Sequence, residues 1–175
     1  MYTCENKCCT IEFADISLDL VPPRRGYYYK AGVFIYDPDA ERVLLVQSRR
    51  QLWGPPKGTL ESANNETNCE CAIREVKEET GLDIGIENFS RATKIKNRAI
   101  YYYAEMKWRD VHPQKGNDDN DANGITWIKL NCLEECIKSG QIELNQHCKI
   151  VFRRFLNRVF PASDFVKVKR KQKRR

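Results

Sequence analysis

Three glutamates near the middle of the chain, Glu75, Glu78 and Glu79, are spaced three and four residues apart and so share one helix face. Like charges at this spacing destabilise an isolated helix by roughly 0.2–0.5 kcal/mol per pair, so something must neutralise them. Hard divalent cations such as Mg²⁺ take carboxylate oxygens together with substrate phosphates. The spacing therefore indicates a metal-dependent enzyme that acts on a polyphosphate. The alternative is a solvated acidic face, with Arg74 pairing to Glu78 four residues later.

The residues around these glutamates favour the enzymatic interpretation. The segment 53–58 (WGPPKG) is rigid and turn-rich, with Lys57 at its rim. Thr67 and Glu70 have the spacing of a capping box, which predicts a helix start at Thr67. Gly81 stands where a helix takes a left-handed C-terminal residue. We therefore predict a loop–helix–loop segment with its charges gathered at one end.

In this setting Gly58, Glu66 and the run 74–82 (REVKEETGL) resemble the Nudix box. Enzymes with this box hydrolyse nucleoside diphosphates linked to another moiety and use Mg²⁺ or Mn²⁺. The usual box encloses five residues between the glycine and the first glutamate, whereas seven lie between Gly58 and Glu66 here. The strict position is occupied by Asn64, a poor metal ligand. We interpret this as a two-residue insertion in the loop 63–65, which keeps Glu66 and everything after it in register.

The resemblance implies a role for each charged residue of the box. Glu78 and Glu79 are expected to be direct metal ligands, and Glu75 to complete the site directly or through water. The carbonyl of Gly58 is a further expected contact, because a residue without a side chain lets backbone approach closely. Arg74 is expected to hold a carboxylate through its planar fork of donors. The catalytic set implied is thus Glu79, Glu75 and Arg74.

A general base must deprotonate the attacking water, and the sequence leaves its identity open. The role is divided between Glu79 and an acid outside the box. The accessory acids that the sequence offers are Glu66, Glu105 on a tyrosine-rich strand, and the loop residues Asp118, Asp119 and Asp121.

Substrate contacts are predicted from charge and aromatic content near the box. Lys57, Arg49 and Arg50 are placed to meet substrate phosphates. Trp53 is expected either to stack on a base or to pack beside the turn. Both roles for Trp53 suit a large aromatic ring next to a rigid segment.

The segments 43–47, 53–58 and 71–76 are similar to the mRNA-decapping branch of the family, which cuts capped RNA and releases m7GDP. The Asn-Glu-Ile element usual in that branch has only Asn123-Gly124-Ile125 as its counterpart here. The segment 55–58 (PPKG) also resembles diadenosine polyphosphate hydrolases. A hydrolase of dinucleoside polyphosphates or diphosphoinositol polyphosphates is therefore an alternative, and a catalytically silent RNA-binding module of the same fold is another.

The basicity of the chain comes from its C-terminal run. Residues 166–175 hold seven basic residues and no acid, and removing those charges from the formal +6 leaves −1. Such a run is expected to be disordered and to attract RNA phosphates without regard to sequence. A nuclear address or a solvated tail fits the same composition. The sequence has no apolar run near the ~18 residues of a membrane helix and no secretory signal pattern. We therefore expect a cytoplasmic protein with no membrane partner, and the basic run makes the nucleus a further expected location.

Eight cysteines raise the question of disulfides or zinc. Cys4, Cys8 and Cys9 form a cluster, but three sulfurs without a nearby histidine need a distant fourth ligand to close a tetrahedral zinc site. Reduced thiols are the simpler expectation, and the sequence leaves metal binding by these three residues open.

Strands first, a helix between them and a helix last predict an α+β fold. The resemblance likewise implies an α/β/α sandwich with a mixed sheet and a catalytic loop–helix–loop. We expect an N-terminal extension at 1–23, the Nudix domain at 24–162 and the basic tail at 163–175. Strands are predicted at 11–20, 27–36, 42–47, 83–87, 90–96, 99–108 and 125–128. Helices are predicted from Thr67 to Gly81, over 133–138 and over 143–160, the last burying Leu144, Cys148, Val151, Phe155 and Val159.

Overall fold

The computed structural model describes residues 1–13, 29–48, 51–114 and 122–160. Several predicted features lie outside these residues: most of the strand at 11–20, Arg49 and Arg50, the acids Asp118, Asp119 and Asp121, and the basic run 166–175. They remain predictions, as do the three domain boundaries.

The described residues form ten strands and three α-helices. The strands are β1 Tyr2–Thr3, β2 Thr10–Phe13, β3 Lys30–Asp37, β4 Arg42–Ser48, β5 Leu52–Gly54, β6 Lys57–Thr59, β7 Phe89–Ile95, β8 Ala99–Glu105, β9 Gly124–Lys129 and β10 Glu143–Leu144. The helices are α1 Asn68–Thr80, α2 Leu130–Lys138 and α3 Gln146–Leu156. None of the helices in these residues is long and apolar enough to cross a membrane.

The sheet is mixed, with the main order β1-β2-β9-β4-β3-β8-β7. Strands β3 and β8 run parallel, while β3 and β4 form an antiparallel hairpin that pairs only near its turn. Beyond that point β5 pairs with β4 and β6 pairs with β3. The short strands β5 and β6, joined through Pro55 and Pro56, are therefore inserted where β3 and β4 separate, and they carry the segment 53–58 into the sheet.

Alternating side chains of the central strands divide the core into two layers. On β3, Phe34 packs with the layer that includes α2 and α3, whereas Val33 and Ile35 pack with the layer that includes α1. This period of two is what strands buried on both faces require. The result is a sheet covered by helices on both sides, as the α+β sandwich prediction states.

Helix α1 begins and ends where the sequence predicts. The Thr67 side chain accepts the backbone N–H of Glu70, and the Glu70 side chain accepts the backbone N–H of Thr67, which completes the capping box. At the other end Gly81 has φ 74°, and its N–H donates to the carbonyl of Lys77. A left-handed residue is strained with a Cβ, so glycine suits this position.

Several of the predicted elements are wrong in detail. Residues 83–87 form no strand, and a single 3₁₀ turn, Ile86–Asn88, takes their place, closed by the Gly85 N–H donating to the Asn88 side chain. Helix α3 ends at Leu156 because Asn157 is left-handed, with φ 51°. Val159 is consequently 77% exposed instead of buried. The predicted start of the last helix is also wrong, because Leu144 lies on β10 and α3 begins at Gln146. Strands β1, β5, β6 and β10 are additional to those predicted.

Candidate active site

Arg74 is the centre of the acidic cluster. Its Nε and Nη2 donate to the two carboxylate oxygens of Glu66, at 2.7 and 3.2 Å. Its Nη1 donates to Glu75 and to Glu78, both at 2.9 Å, and Nη2 also reaches the Thr59 carbonyl at 3.1 Å. A guanidinium presents its donors in a fixed planar fork, so this one side chain sets the positions of three carboxylates.

Glu75 and Glu79 point from α1 to the short segment Lys57–Gly58 of β6, and this segment together with its glutamates is named the acidic loop. The Lys57 N–H donates to Glu79 Oε2 at 2.8 Å, and the Glu79 side chain is almost fully buried. The Glu75 carboxylate lies so close to Gly58 that a Cβ there would stand 1.8 Å from Glu75 Oε1. The glycine of the box is therefore required by the approach of a carboxylate to the backbone, and both residues belong to one loop–helix contact.

The structure supports the insertion interpretation of the loop before α1. Glu66, and not Asn64, pairs with Arg74, and the Glu61 N–H also donates to Glu66 at 2.8 Å. The additional residues are accommodated in the 3₁₀ turn Ser62–Asn64 and by Asn65, which has φ 54°. Glu66 is thus placed to orient Arg74, because both of its oxygens are already engaged.

The ion pair between Glu66 and Arg74 shifts the pKa of both groups. Burial raises the pKa of the Glu66 carboxyl, but hydrogen bonds from Arg74 and from the Glu61 N–H outweigh burial, so the net pKa is lowered. The hydrogen bond to Glu66 raises the pKa of Arg74, and the charges of Glu75 and Glu78 raise it further, against the opposing effect of burial. Both groups are accordingly charged at neutral pH.

The donor set fits a hard divalent cation. The Arg74 guanidinium contacts the carboxylates of Glu66, Glu75 and Glu78, and the buried Glu79 carboxylate lies at the Lys57 N–H, which leaves an excess of negative charge in this region. Carboxylate and backbone carbonyl oxygens are the ligands that Mg²⁺ and Mn²⁺ take. The recess at Gly58 that a Cβ would fill lets the Glu75 carboxylate and the backbone come together there. Of the predicted metal ligands, Glu75 lies against Gly58, Glu78 shares Arg74 with Glu75, and Glu79 accepts the N–H of Lys57, the residue next to Gly58.

A basic group that the sequence did not predict lies near the Lys57 loop. His147, on the first turn of α3, accepts from or donates to the Tyr101 hydroxyl through Nδ1 at 3.1 Å. Burial lowers the pKa of His147, and the positive charges of Lys57, Lys30 and Arg98 lower it further. These four residues come from β3, β6, α3 and the β7–β8 turn. Lys57 was predicted as a phosphate contact, and the only sequence signal for the other three is that His147 is one of two histidines.

Two predicted site residues are placed differently from the prediction. The Trp53 side chain is 1% exposed and packs edge-to-face against Phe13, with ring centroids 6.1 Å apart, so the packing role applies and stacking on a base does not. Glu105 accepts the Tyr103 hydroxyl at 2.9 Å. Ile100 of β8 and Gly58 of β6 both pair with Ala31 of β3, so Ile100 marks the level of the acidic cluster on β8. Glu105 lies five residues beyond Ile100, which is a distance of about 17 Å along the strand. Glu105 is too distant to serve as an accessory acid.

Comparisons with known proteins agree with this geometry. The NUDIX domain model matches residues 26–148. The putative hydrolase 111R of Invertebrate iridescent virus 3 is 29% identical over 133 residues, covering 74% of this chain and 77% of that protein. The m7GpppN-mRNA hydrolase dcap-2 of Caenorhabditis elegans is 45% identical over 111 residues, which are 58% of this chain but only 14% of that much longer protein.

A third relative and a solved structure extend the comparison. The asymmetrical bis(5′-nucleosyl)-tetraphosphatase of Sus scrofa is 36% identical over 106 residues, covering 54% of this chain and 69% of that protein. The dihydroneopterin triphosphate pyrophosphohydrolase of E. coli shares the fold, with a TM-score of 0.55 at 19% identity, over 77% of this chain and 100% of that chain. The loop, the helix and the match over most of the chain lead to one conclusion: this chain belongs to the Nudix family.

Proposed function

We propose that this chain is a metal-dependent pyrophosphohydrolase that cleaves the triphosphate bridge of a capped RNA and releases m7GDP. The observation that carries the hydrolase assignment is the meeting of Glu75 and Glu79 at the Lys57–Gly58 loop, with Arg74 holding Glu75 and Glu78. Capped RNA is supported by the 45% identity to a decapping hydrolase. The basic run 166–175 supports it further, because an RNA body offers a long track of phosphates.

Nudix hydrolases generally use divalent metal ions. In this chain the carboxylates of Glu75, Glu78 and Glu79 and the carbonyl of Gly58 would hold Mg²⁺ or Mn²⁺. When bound, such an ion polarises a phosphoryl oxygen and lowers the pKa of water.

The side chains around the loop position the reacting groups. Arg74 fixes the carboxylates of Glu75 and Glu78, so that they do not have to reorganise during the reaction. Among the acids that the structure describes, Glu79 is the one we assign as general base, since the Lys57 N–H aims its carboxylate at the loop. We assign the binding of substrate phosphates to the positive side chains of Lys57, Lys30 and Arg98, which gather around His147.

The test uses capped RNA with a label in the bridging phosphates. With Mn²⁺ present, we expect the labelled product to be m7GDP, identified by chromatography against standards. Glu79→Gln should lower turnover by at least ~100-fold, because a general base contributes about 10²–10⁴-fold. Glu87→Gln, on the exposed 3₁₀ turn, removes the same charge away from the loop and should leave turnover unchanged. Equal turnover in Glu79→Gln and the unaltered chain would refute the assignment of the base.

A second candidate substrate is a dinucleoside polyphosphate. The specific observation in its favour is the 36% identity to a bis(5′-nucleosyl)-tetraphosphatase over 69% of that protein. Both substrates present a polyphosphate bridge, so the same loop would serve either. Parallel incubations with capped RNA and with free dinucleotides separate them: consumption of dinucleotides without any m7GDP would overturn the decapping proposal.

Binding of RNA through the basic run 166–175 is tested by deleting it. We expect weaker RNA binding and a smaller salt dependence, because fewer phosphates are neutralised. Turnover on a short capped oligonucleotide at saturating concentration should change little. If the chain binds RNA but hydrolyses neither substrate class with Mg²⁺ or Mn²⁺, a silent RNA-binding module replaces the hydrolase.

A further inference from the structure

The structure brings four cysteine sulfurs together at a place remote from the acidic loop. Cys4, Cys8 and Cys9 lie on the turn between β1 and β2, and Cys132 lies in the first turn of α2. Their Sγ atoms all lie within 4.8 Å of one another. Cys8 Sγ is 3.5 Å from Cys132 Sγ, 3.7 Å from Cys9 Sγ and 3.8 Å from Cys4 Sγ. Cys132 is thus the distant fourth ligand that the three N-terminal cysteines lack in the sequence.

From this convergence we propose that Cys4, Cys8, Cys9 and Cys132 form a structural zinc site. In a tetrahedral site with Zn–S bonds of about 2.3 Å, neighbouring sulfurs are about 3.8 Å apart. The separations around Cys8 match this length, so a single ion can sit among the four sulfurs with little rearrangement. Four thiolates leave no open coordination position, which is the pattern of a structural site and not of a catalytic one.

The turn that carries three of the ligands is folded around the sulfurs. Lys7 adopts a left-handed conformation, with φ 52°, and its N–H donates to the Cys4 carbonyl at 2.8 Å. The Cys4 N–H in turn donates to the Cys9 carbonyl at 3.0 Å. Non-glycine residues rarely take a positive φ. Lys7 takes this rare conformation, and the resulting turn directs Cys4, Cys8 and Cys9 to the same side.

Donors from the surrounding chain point at the sulfurs and at the turn. The Lys129 N–H donates to Cys9 Sγ at 3.3 Å, and the Asn6 side-chain amide donates to Cys132 Sγ at 3.8 Å. The Arg42 guanidinium donates to the Cys8 carbonyl at 2.7 Å. Four thiolates around Zn²⁺ carry a net charge of −2, and N–H donors with a neighbouring cation are what such an anionic centre needs.

A disulfide or an iron–sulfur cluster fits the distances between the sulfurs less well than a single ion does. A disulfide requires sulfurs about 2.05 Å apart, and all eight cysteines are free thiols in the structure. A disulfide would also use two of the four sulfurs and give no reason for the remaining two to converge. Iron–sulfur clusters are held by four cysteines as well, but these ligands surround several metal atoms and are spread more widely than around one ion. One soft tetrahedral ion, for which Zn²⁺ is the common choice, accounts for all four.

The site would fasten the N-terminal strands to the domain. β1 and β2 contain only two and four residues, and strands this short are weakly held by pairing alone. β2 pairs with β9, and Phe13 at its end packs against Trp53 of β5. A zinc ion linking this turn to α2 would close a loop of more than a hundred residues, so the ordering of residues 1–13 depends on it.

The decisive measurement is the metal content of the full chain purified under reducing conditions without chelator. We expect about one zinc per chain by elemental analysis. Replacing zinc with Co²⁺ should give the absorption bands of a tetrahedral cobalt–thiolate centre. Cys132→Ser and Cys8→Ser should lose the zinc. Cys136→Ser is the matched control, since Cys136 is another buried free thiol of α2 outside the four, and it should keep about one zinc per chain.

Two readouts keep the proposal testable when a variant fails to fold. Cobalt titration of the unaltered apo-chain reports the site without any substitution, and so does zinc release by a thiol-modifying reagent. Absence of zinc and of the cobalt bands in the unaltered chain overturns the proposal. So does the finding of iron in place of zinc, or a Cys8 disulfide identified by mass spectrometry of the freshly isolated protein.

Discussion

Replacing Gly58 by alanine tests the acidic loop at its tightest contact. The added Cβ would stand 1.8, 1.9 and 2.1 Å from Oε1, Cδ and Oε2 of Glu75. Carbon and oxygen atoms do not approach below 3.0 Å, so the carboxylate must withdraw by about 1.2 Å. The backbone of Gly58 cannot yield as readily, because it is buried and paired with Ala31 of β3. The substitution therefore displaces one carboxylate and leaves its charge in place.

The expected size of the effect follows from the tolerance of metal coordination. Ligand distances are held to about 0.2 Å, so a displacement of 1.2 Å removes Glu75 from the coordination of an ion at the loop. Misplacement by about 1 Å lowers rates by roughly 100-fold, equivalent to about 2.7 kcal/mol. We expect both Mn²⁺ affinity and turnover to fall by this order. The withdrawn carboxylate also loses its 2.9 Å hydrogen bond from Arg74.

Calorimetric titration with Mn²⁺ and thermal unfolding measure the two consequences separately. Gly85→Ala is the matched control, because a Cβ at Gly85 meets only the end of the exposed Glu87 side chain, which can turn away. A second variant, Gly58→Ala with Glu75→Asp, shortens the side chain by about 1.5 Å. It should recover thermal stability without recovering Mn²⁺ affinity. If folded Gly58→Ala binds Mn²⁺ within about threefold of the unaltered chain, where ~100-fold is expected, Glu75 is not a ligand at this loop.

Three further substitutions test the surroundings of the loop. Arg74→Lys replaces the planar guanidinium by a point charge that cannot reach Glu66, Glu75 and Glu78 together. Turnover should therefore fall on the order of 100-fold. The control Lys77→Arg should keep a turnover near that of the unaltered chain. Glu66→Gln should reduce the slope of the free energy of unfolding against pH in the acid range. The lowered pKa of Glu66 contributes stability above its unfolded pKa, and this contribution is lost as pH falls below about 5. Urea unfolding at several pH values measures this slope. Equal slopes in the two proteins would contradict the ion pair. Thr67→Ala removes the cap of α1 and should lower the free energy of unfolding by about 1 kcal/mol, measured by the same titration; no change would show that the capping box is not formed in solution.

The parts of the site that sequence predicts are those fixed by local rules. The capping residues Thr67 and Glu70, the left-handed Gly81 and the helical spacing of Glu75 and Glu79 each depend on neighbours within one helix. Their positions therefore follow from the order of residues alone. The register of Glu66 was also accessible, because an insertion of two residues in a loop leaves the flanking register unchanged, but its pairing with Arg74 was not predicted.

Features that depend on packing between distant segments were missed or wrong. His147 reaches the neighbourhood of Lys57 only because α3 packs across the sheet, and no local pattern marks it. Strands β5 and β6 have three residues each, too few to show alternation, and Pro55-Pro56 between them indicates only a turn. Trp53 was assigned two roles because sequence does not say which side of a strand is covered. Burial beneath Phe13 decides between them.

The acidic loop and the cysteine cluster can be tested independently because they differ in place and in chemistry. Gly58 pairs with Ala31, near the start of β3. Lys129, beside the cysteines, pairs with Arg42 of β4, and Arg42 pairs with Asp37 at the end of β3. The six steps from Ala31 to Asp37 separate the two sites by about 20 Å along the sheet, and the two sites lie on opposite faces of it. Carboxylates prefer Mg²⁺ or Mn²⁺, and thiolates prefer Zn²⁺.

Loss of zinc should therefore loosen residues 1–13 with the Mn²⁺ affinity of the loop little changed, whereas Gly58→Ala should lower turnover with the zinc retained. Hydrogen exchange of the β2 and β9 amides alongside Mn²⁺ titration distinguishes the two. Loss of both properties on removing zinc alone would show that the two sites are coupled, and the Phe13–Trp53 contact between β2 and β5 is the contact to test next.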